Sequence, residues 1–164
     1  MYKRILVPID GSQTSTSALV AALQMARESA GSVRLIHVIE ELNQVIAYDP
    51  YGAYAGDLVK VMRDNGMKVL GQAMEVAKSA GVDADHRLVE AAGQRLAEAV
   101  NKEVQSYHAD LIVLGTHGRR GIGRVLLGSG AEQIIRAAQV PVLVIRGSEE
   151  AAIESAKKVE LASA

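Results

Sequence analysis

The stretch Leu111-Ile-Val-Leu-Gly115-Thr-His-Gly118-Arg-Arg-Gly121-Ile-Gly123-Arg-Val-Leu-Leu-Gly128-Ser-Gly130 holds a short apolar run, a glycine-rich turn and the opening of a helix, in that order. A brief, uninterrupted apolar run bounded by turn residues fits a strand covered on both faces, as in a parallel sheet. Working outward, further short, strand-like segments with β-branched residues lie at Arg4-Ile-Leu-Val-Pro-Ile9, Val33-Arg-Leu-Ile-His-Val38, Ala84 to Glu90 and Val140-Pro-Val-Leu-Val-Ile145. Between these runs the apolar residues take helical spacing. Leu19, Leu23, Ala26 and Ala30 form one stripe, and Leu58, Val61, Met62, Val69, Ala73 and Ala77 a second. Leu96, Val100, Val104 and Tyr107 form a third, and Ile134, Ile135 and Ala138 a shorter fourth.

Strands alternating with helices predict an α/β fold: an open, parallel, five-stranded, Rossmann-like sheet with helices on both faces. The first and fourth strands are the most continuously apolar and suit central positions, which predicts the order 3-2-1-4-5. Right-handed crossovers then reverse direction between strands one and four. Ligands of doubly wound sheets bind beyond the carboxyl ends of the strands at such a reversal, so the residues after Ile9 and after Leu114 become the candidate site. Helix punctuation is ordinary: Ser12, Thr14 and Ser15 offer N-caps, and Gly31 and Gly81 follow the first two helices. Gly66 and Gly71 each weaken a helix interior by about 1 kcal/mol, so the second helix is expected to be the least regular.

The 164 residues suit a single domain over residues 1–146, followed by an Ala-, Glu- and Lys-rich tail over 147–164 that reads as weakly helical or disordered. Apolar residues make up 49% and charged residues 23%, as in a globular protein. The net charge of −1 gives no overall attraction to nucleic acid or anionic lipid. The absence of cysteine excludes disulfides, thiolate metal sites and cysteine nucleophiles. Ile5 to Ile9 is too short for a signal-peptide core, and no run approaches the roughly 20 apolar residues of a membrane span, so a cytoplasmic protein is expected. The long loop Glu40 to Gly56, with Tyr48, Tyr51 and Tyr54, reads equally as a lid, a partner surface or a variable surface loop.

Six glycines in the sixteen positions from Gly115 to Gly130 let backbone amides approach a ligand closely. A glycine-rich turn that feeds a helix presents unpaired N–H groups and the positive end of the helix dipole, which suits phosphate. Arg119, Arg120 and Arg124 form the densest basic cluster, and Ser129 could both cap the helix and donate to a phosphate oxygen. Familiar phosphate motifs fail: Gly123 to Gly128 has Walker A glycine spacing, but Ser129 stands where that motif requires Lys. The bland alternatives are a merely flexible loop at the glycines and, for Asp10-Gly-Ser, a simple turn and cap. His37 reads as a hydrogen-bonded structural residue, and His86 and His108 as surface residues at element ends. His117 reads as a loop residue fixed by a backbone carbonyl. No protein-only metal site is expected.

Gly115-x2-Gly118-x9-Gly128-Ser129 resembles the ATP-binding signature of the universal stress protein family. Lys3-Arg-Ile-Leu-Val-Pro-Ile-Asp-Gly-Ser12, Leu35-Ile-His-Val-Ile39, Ala109-Asp-Leu-Ile-Val-Leu-Gly-Thr-His-Gly118 and Pro141-Val-Leu-Val-Ile-Arg146 are similar to that family as well, so the resemblance spans about residues 1–146. It implies ATP as ligand, with Mg²⁺ or Mn²⁺ arriving through the phosphates. By position, Asp10 would accept from the ribose hydroxyls above a floor of Pro8 and Ile9. Val38 would meet adenine through its backbone, and Leu114 and Gly115 would line the ribose side. Gly118, Gly128, Ser129 and Gly130 would hold the phosphates, with Arg119 beside them. The family often has Ser or Thr at the next helix position, where this chain has Ala131, so one hydroxyl contact is missing.

No Asp, Glu or His falls where it would activate water, so the expectation is a binding and signalling module for stress response, with slow or no hydrolysis and an unknown regulated protein as partner. The alternatives are a slow ATPase or phosphotransferase, and an interaction protein whose glycine loop stays empty. A response-regulator receiver lacks its acid set here. An ATP pyrophosphatase would carry its glycines after strand one, not after strand four.

Val140 to Ile145 is apolar on both faces, and the predicted order makes it an edge strand, which invites pairing. A two-fold homodimer through this strand is expected, as in the family it resembles. Sedimentation of the full chain and of a chain ending at Arg146 tests this. Dimers are expected from both, whereas a monomeric full chain beside a dimeric shortened one would mean that the tail covers the edge.

Overall fold

The computed structural model describes residues 1–40, 55–91, 93–116 and 127–146. Residues 41–54 of the tyrosine-bearing loop, 117–126 of the glycine-rich segment and the tail from 147 lie outside the described residues, and with them His117, Gly118, Arg119, Arg120 and Arg124. The described elements run β1 (Arg4–Pro8), α1 (Gln13–Ser29), β2 (Ser32–Ile39), α2 (Ala55–Ser79), β3 (Asp83–Glu90), α3 (Leu96–Tyr107), β4 (Leu111–Gly115), α4 (Ser129–Ala137) and β5 (Val142–Ile145). All pairings are parallel and the order is β3-β2-β1-β4-β5, as the apolar pattern predicts.

Side-chain alternation splits the core in two. Ile5 and Val7 of β1, Val33 and Leu35 of β2, and Leu111 and Val113 of β4 pack under α1 and α2. Leu6, Ile36, Ile112 and Leu114 point to the other face and meet Val100, Val104 and Tyr107 of α3 and Ile134 of α4. Both faces of β1 and β4 are therefore buried, which explains their unbroken apolar sequence and their central position.

Three helical expectations are corrected. α2 is one continuous helix of 25 residues rather than the least regular element. At Gly66 a methyl group would fall 2.5 Å from Leu88 Cδ1 and 2.8 Å from His37 Cδ2, so this glycine serves close packing against the sheet, not a break. The buried stripe of α2 is Leu70, Ala73 and Ala77, while Leu58 and Val61 are 46% and 53% exposed. One member falls away from each of two further stripes: Ala30 is the exposed C-cap of α1 at φ 48°, and Ile135 of α4 is exposed, while Ala138 packs against the second core. β5 begins at Val142, two residues later than expected, and Leu143 on this edge strand is exposed. His108 is the exposed C-cap of α3, but His86 lies exposed in the middle of edge strand β3 rather than at an end.

Toward the amino ends of the strands, Tyr107 is stacked between Arg4 and Arg34, each guanidinium carbon 4.4 Å from the ring centre. Its hydroxyl meets Ser32 Oγ at 2.8 Å, and Arg4 Nε donates to its carbonyl at 2.6 Å. Arg34 forms a two-pronged pair with Asp85, which raises its pKa, and it also lies 3.6 Å from the buried Glu103. Burial, ahead of the opposing Ser32 hydrogen bond, lifts the Tyr107 phenol above its ordinary 10.0. A group whose folded value is raised contributes stability fully below its unfolded value and loses it as pH climbs through the folded one. Stability should therefore fall above pH 10.0, the ordinary phenol value. Tyr107→Phe should cost about 1 kcal/mol at neutral pH and flatten that alkaline fall. Urea unfolding of both chains across this range checks it, and equal alkaline slopes would contradict it.

Candidate functional site

Between β1 and β4 the strand order reverses, and the chain leaves their carboxyl ends in different directions. After β1, Pro8 is half-buried and Ile9 buried, and the Ile9 N–H donates to the Ile36 carbonyl at 2.7 Å. Asp10 follows on a tight turn in which Gly11 takes φ 80° and the Ser12 N–H donates to Asp10 Oδ1 at 2.9 Å. Ser12 is then the N-cap of α1: its Oγ accepts from the Ser15 N–H at 3.1 Å and lies 3.1 Å from Thr14 Oγ1. The turn-and-cap geometry of Asp10-Gly-Ser is thus real, and it holds the Asp10 carboxylate at the end of β1.

After β4, Leu114 is buried against the second core and Gly115 is the last strand residue. A methyl on Gly115 would lie 2.7 Å from the backbone carbon and oxygen of Thr14, so only glycine lets β4 end against the first turn of α1. Thr116, 6% exposed, donates its N–H to the Ile145 carbonyl at 2.9 Å and accepts from the Gly128 N–H at 2.6 Å. That second bond brings the far end of the glycine-rich segment back beside the strand from which it departs. Nothing in the sequence marks Thr116 for this role beyond its place after Gly115.

Gly128, rather than Ser129, occupies the N-cap of α4 and has no side chain to cap it. Ser129 is the exposed first helical residue, and Gly130 packs close to Leu96, where a methyl would be 3.0 Å from Cδ2. The amino end of α4 thus opens at the strand ends with first-turn N–H groups that lack intrahelical acceptors. Glu132, the acid of that first turn, is engaged by Arg136 at 2.8 Å, which tempers its charge. Ala131 packs against the second core.

Val38 stands near the carboxyl end of β2, paired with Val89 and half-buried against the second core. Asp10, Val38 and Gly115 thus sit at the ends of three adjacent strands, with Gly128, Ser129 and Gly130 closing the side beyond β4. His37 Nδ1 lies 2.7 Å from the Ile9 carbonyl, the hydrogen-bonded structural setting expected for it. On the outer strand β3, the hydrogen bond from Arg63 lowers the pKa of the Glu90 carboxyl. Among the described residues no three of His, Cys, Asp and Glu gather to hold a metal ion, and no helix is long and apolar enough to cross a membrane.

The fold is that of a doubly wound parallel α/β protein, with the candidate residues at the reversal of strand order. Residues 1–146 match the universal stress protein family, and the chain belongs to that family. A universal stress protein of Methanocaldococcus jannaschii is 31% identical over 147 residues, covering 89% of this chain and 83% of that one. The solved structure of a universal stress protein family member from Burkholderia pseudomallei is 34% identical with a TM-score of 0.71, over 88% of this chain and 96% of that one. A universal stress protein solved in complex with cAMP is 25% identical with a TM-score of 0.60, over 90% and 98% of the two chains.

Proposed function

We propose that this chain binds an adenine nucleotide, ATP, in the crevice at the carboxyl ends of β1, β2 and β4, and works as a nucleotide-dependent signalling module rather than a fast enzyme. The observation that carries the reading is the convergence at the strand reversal. The Gly128–Thr116 bond holds Gly128 and the amino end of α4 at the carboxyl end of β4, the strand that pairs with β1, after which Asp10 follows. Phosphates suit the first-turn amides at Ser129 and Gly130, where the helix dipole is positive and Glu132 is already paired. Gly118 and Arg119 would complete that side. At the other end Asp10 suits ribose hydroxyls, with Pro8, Ile9, Leu114 and Gly115 as walls and the Val38 backbone against the base. The complex of a family member with cAMP supports an adenine nucleotide as the ligand class.

Ala131 is turned into the second core and brings no hydroxyl, so the phosphates rely on backbone amides, Ser129 and the arginines of the glycine-rich segment. Any Mg²⁺ or Mn²⁺ would be held through the phosphates and water. Homodimerisation through β5 and cytoplasmic action on a regulated partner protein belong to the same reading.

Thermal or urea unfolding with ATP at about 100 times its Kd should show a gain of about 2.7 kcal/mol, reduced in Asp10→Ala. No stabilisation at millimolar ATP overturns the reading. Sustained ADP release at several turnovers per second, lost in Asp10→Ala, would make the protein an ATPase instead.

A further inference from the structure

His37 lies on the face of β2 that carries Val33 and Leu35 toward α1 and α2. Its Nδ1 is 2.7 Å from the Ile9 carbonyl oxygen. A carbonyl only accepts, so Nδ1 carries the hydrogen and donates it. Register pairing of β1 with β2 stops at Pro8↔Ile36, and the last bond beyond it runs from the Ile9 N–H to the Ile36 carbonyl. In a parallel ladder the following rung would run from the Val38 N–H to the Ile9 carbonyl. The imidazole donates to that carbonyl instead, on the residue directly before Asp10.

The ring is held in turn. His37 is in register with Leu88, and both side chains press on Gly66 of α2, the position where a methyl group would collide with each. The absence of a side chain at Gly66 thus makes the seat for the imidazole.

We propose that His37 is a positioning residue for the nucleotide. By holding the Ile9 carbonyl it fixes the Ile9–Asp10 peptide, and with it the aim of the Asp10 carboxylate. It also turns the Val38 N–H toward the crevice rather than into the ladder. His37 itself touches no ligand, and the inference rests on the nucleotide reading above.

The test is calorimetric titration of ATP into the full chain and four variants, with urea unfolding of each. His37→Leu keeps bulk and removes the donor, and it is expected to weaken ATP binding about tenfold. His37→Asn restores an N–H near the Nδ1 position and is expected to recover affinity to within about threefold of the parent. Val33→Ala opens a void on the same face at the opposite end of β2. It is expected to lower stability while leaving affinity within about twofold. Gly66→Ala keeps the histidine but pushes the ring from its seat, and should weaken ATP as His37→Leu does, which also serves if His37→Leu does not fold. Parental affinity in His37→Leu or in Gly66→Ala overturns the proposal while nucleotide binding stands. So does a failure of His37→Asn to recover, or a loss in Val33→Ala that tracks its stability. A parent chain that binds no ATP overturns both readings.

Discussion

Burial of β1 and β4 on both faces is the constraint from which the remaining structure follows. Ile5, Leu6 and Val7, with Leu111 to Leu114, have no solvent side, so each strand needs neighbours at both edges and helices above and below. Parallel strands need crossovers, and crossovers of one hand covering two faces demand a reversal of strand order. That reversal falls between the two most buried strands. Asp10 follows the carboxyl end of the one strand, and Gly115 and Thr116, which meets Gly128, stand at that of the other.

The local chemistry at these strand ends is mostly main chain. Gly115 allows contact with Thr14, Thr116 ties the returning Gly128 to β5's neighbour, and Gly128 opens α4 without a side-chain cap. The proposed nucleotide would be recognised there by the direction of N–H groups more than by particular side chains. The heavily paired end of the sheet is the opposite one, where Tyr107, Arg4, Arg34, Asp85 and Glu103 interlock. Side-chain pairing dominates that end of the sheet, and main-chain contacts dominate the candidate site.

Much of this was legible in the sequence because burial on two faces writes itself as an unbroken apolar run. Arg4–Pro8 and Leu111–Gly115 announced themselves, and their central placement yielded the strand order. What stayed illegible depends on contacts between distant segments. Gly66 looks like a helix breaker in isolation, yet it is the place where α2 touches His37 and Leu88. Leu58 and Val61 carry the helical period but lie exposed, while Leu70 takes the core. Ser129 has the composition of a cap, but the chain enters α4 one residue earlier. For the site, Asp10, Gly115 and Gly128 to Gly130 could be chosen by position along the chain. A hydrogen-bonded role for His37 could be read from its place in the strand, but its partner, the Ile9 carbonyl beside Asp10, could not.

The central claim is that one crevice at the strand reversal holds the nucleotide. Amide chemical shifts of the isotopically labelled chain, followed through an ATP titration, test it most directly. The account predicts saturable shifts at Asp10 to Ser12, Val38, Gly115, Thr116 and Gly128 to Ala131, with Ser32, Asp85 and Tyr107 at the far end unmoved. No shifts, or shifts gathered at the Tyr107 end instead, would contradict it.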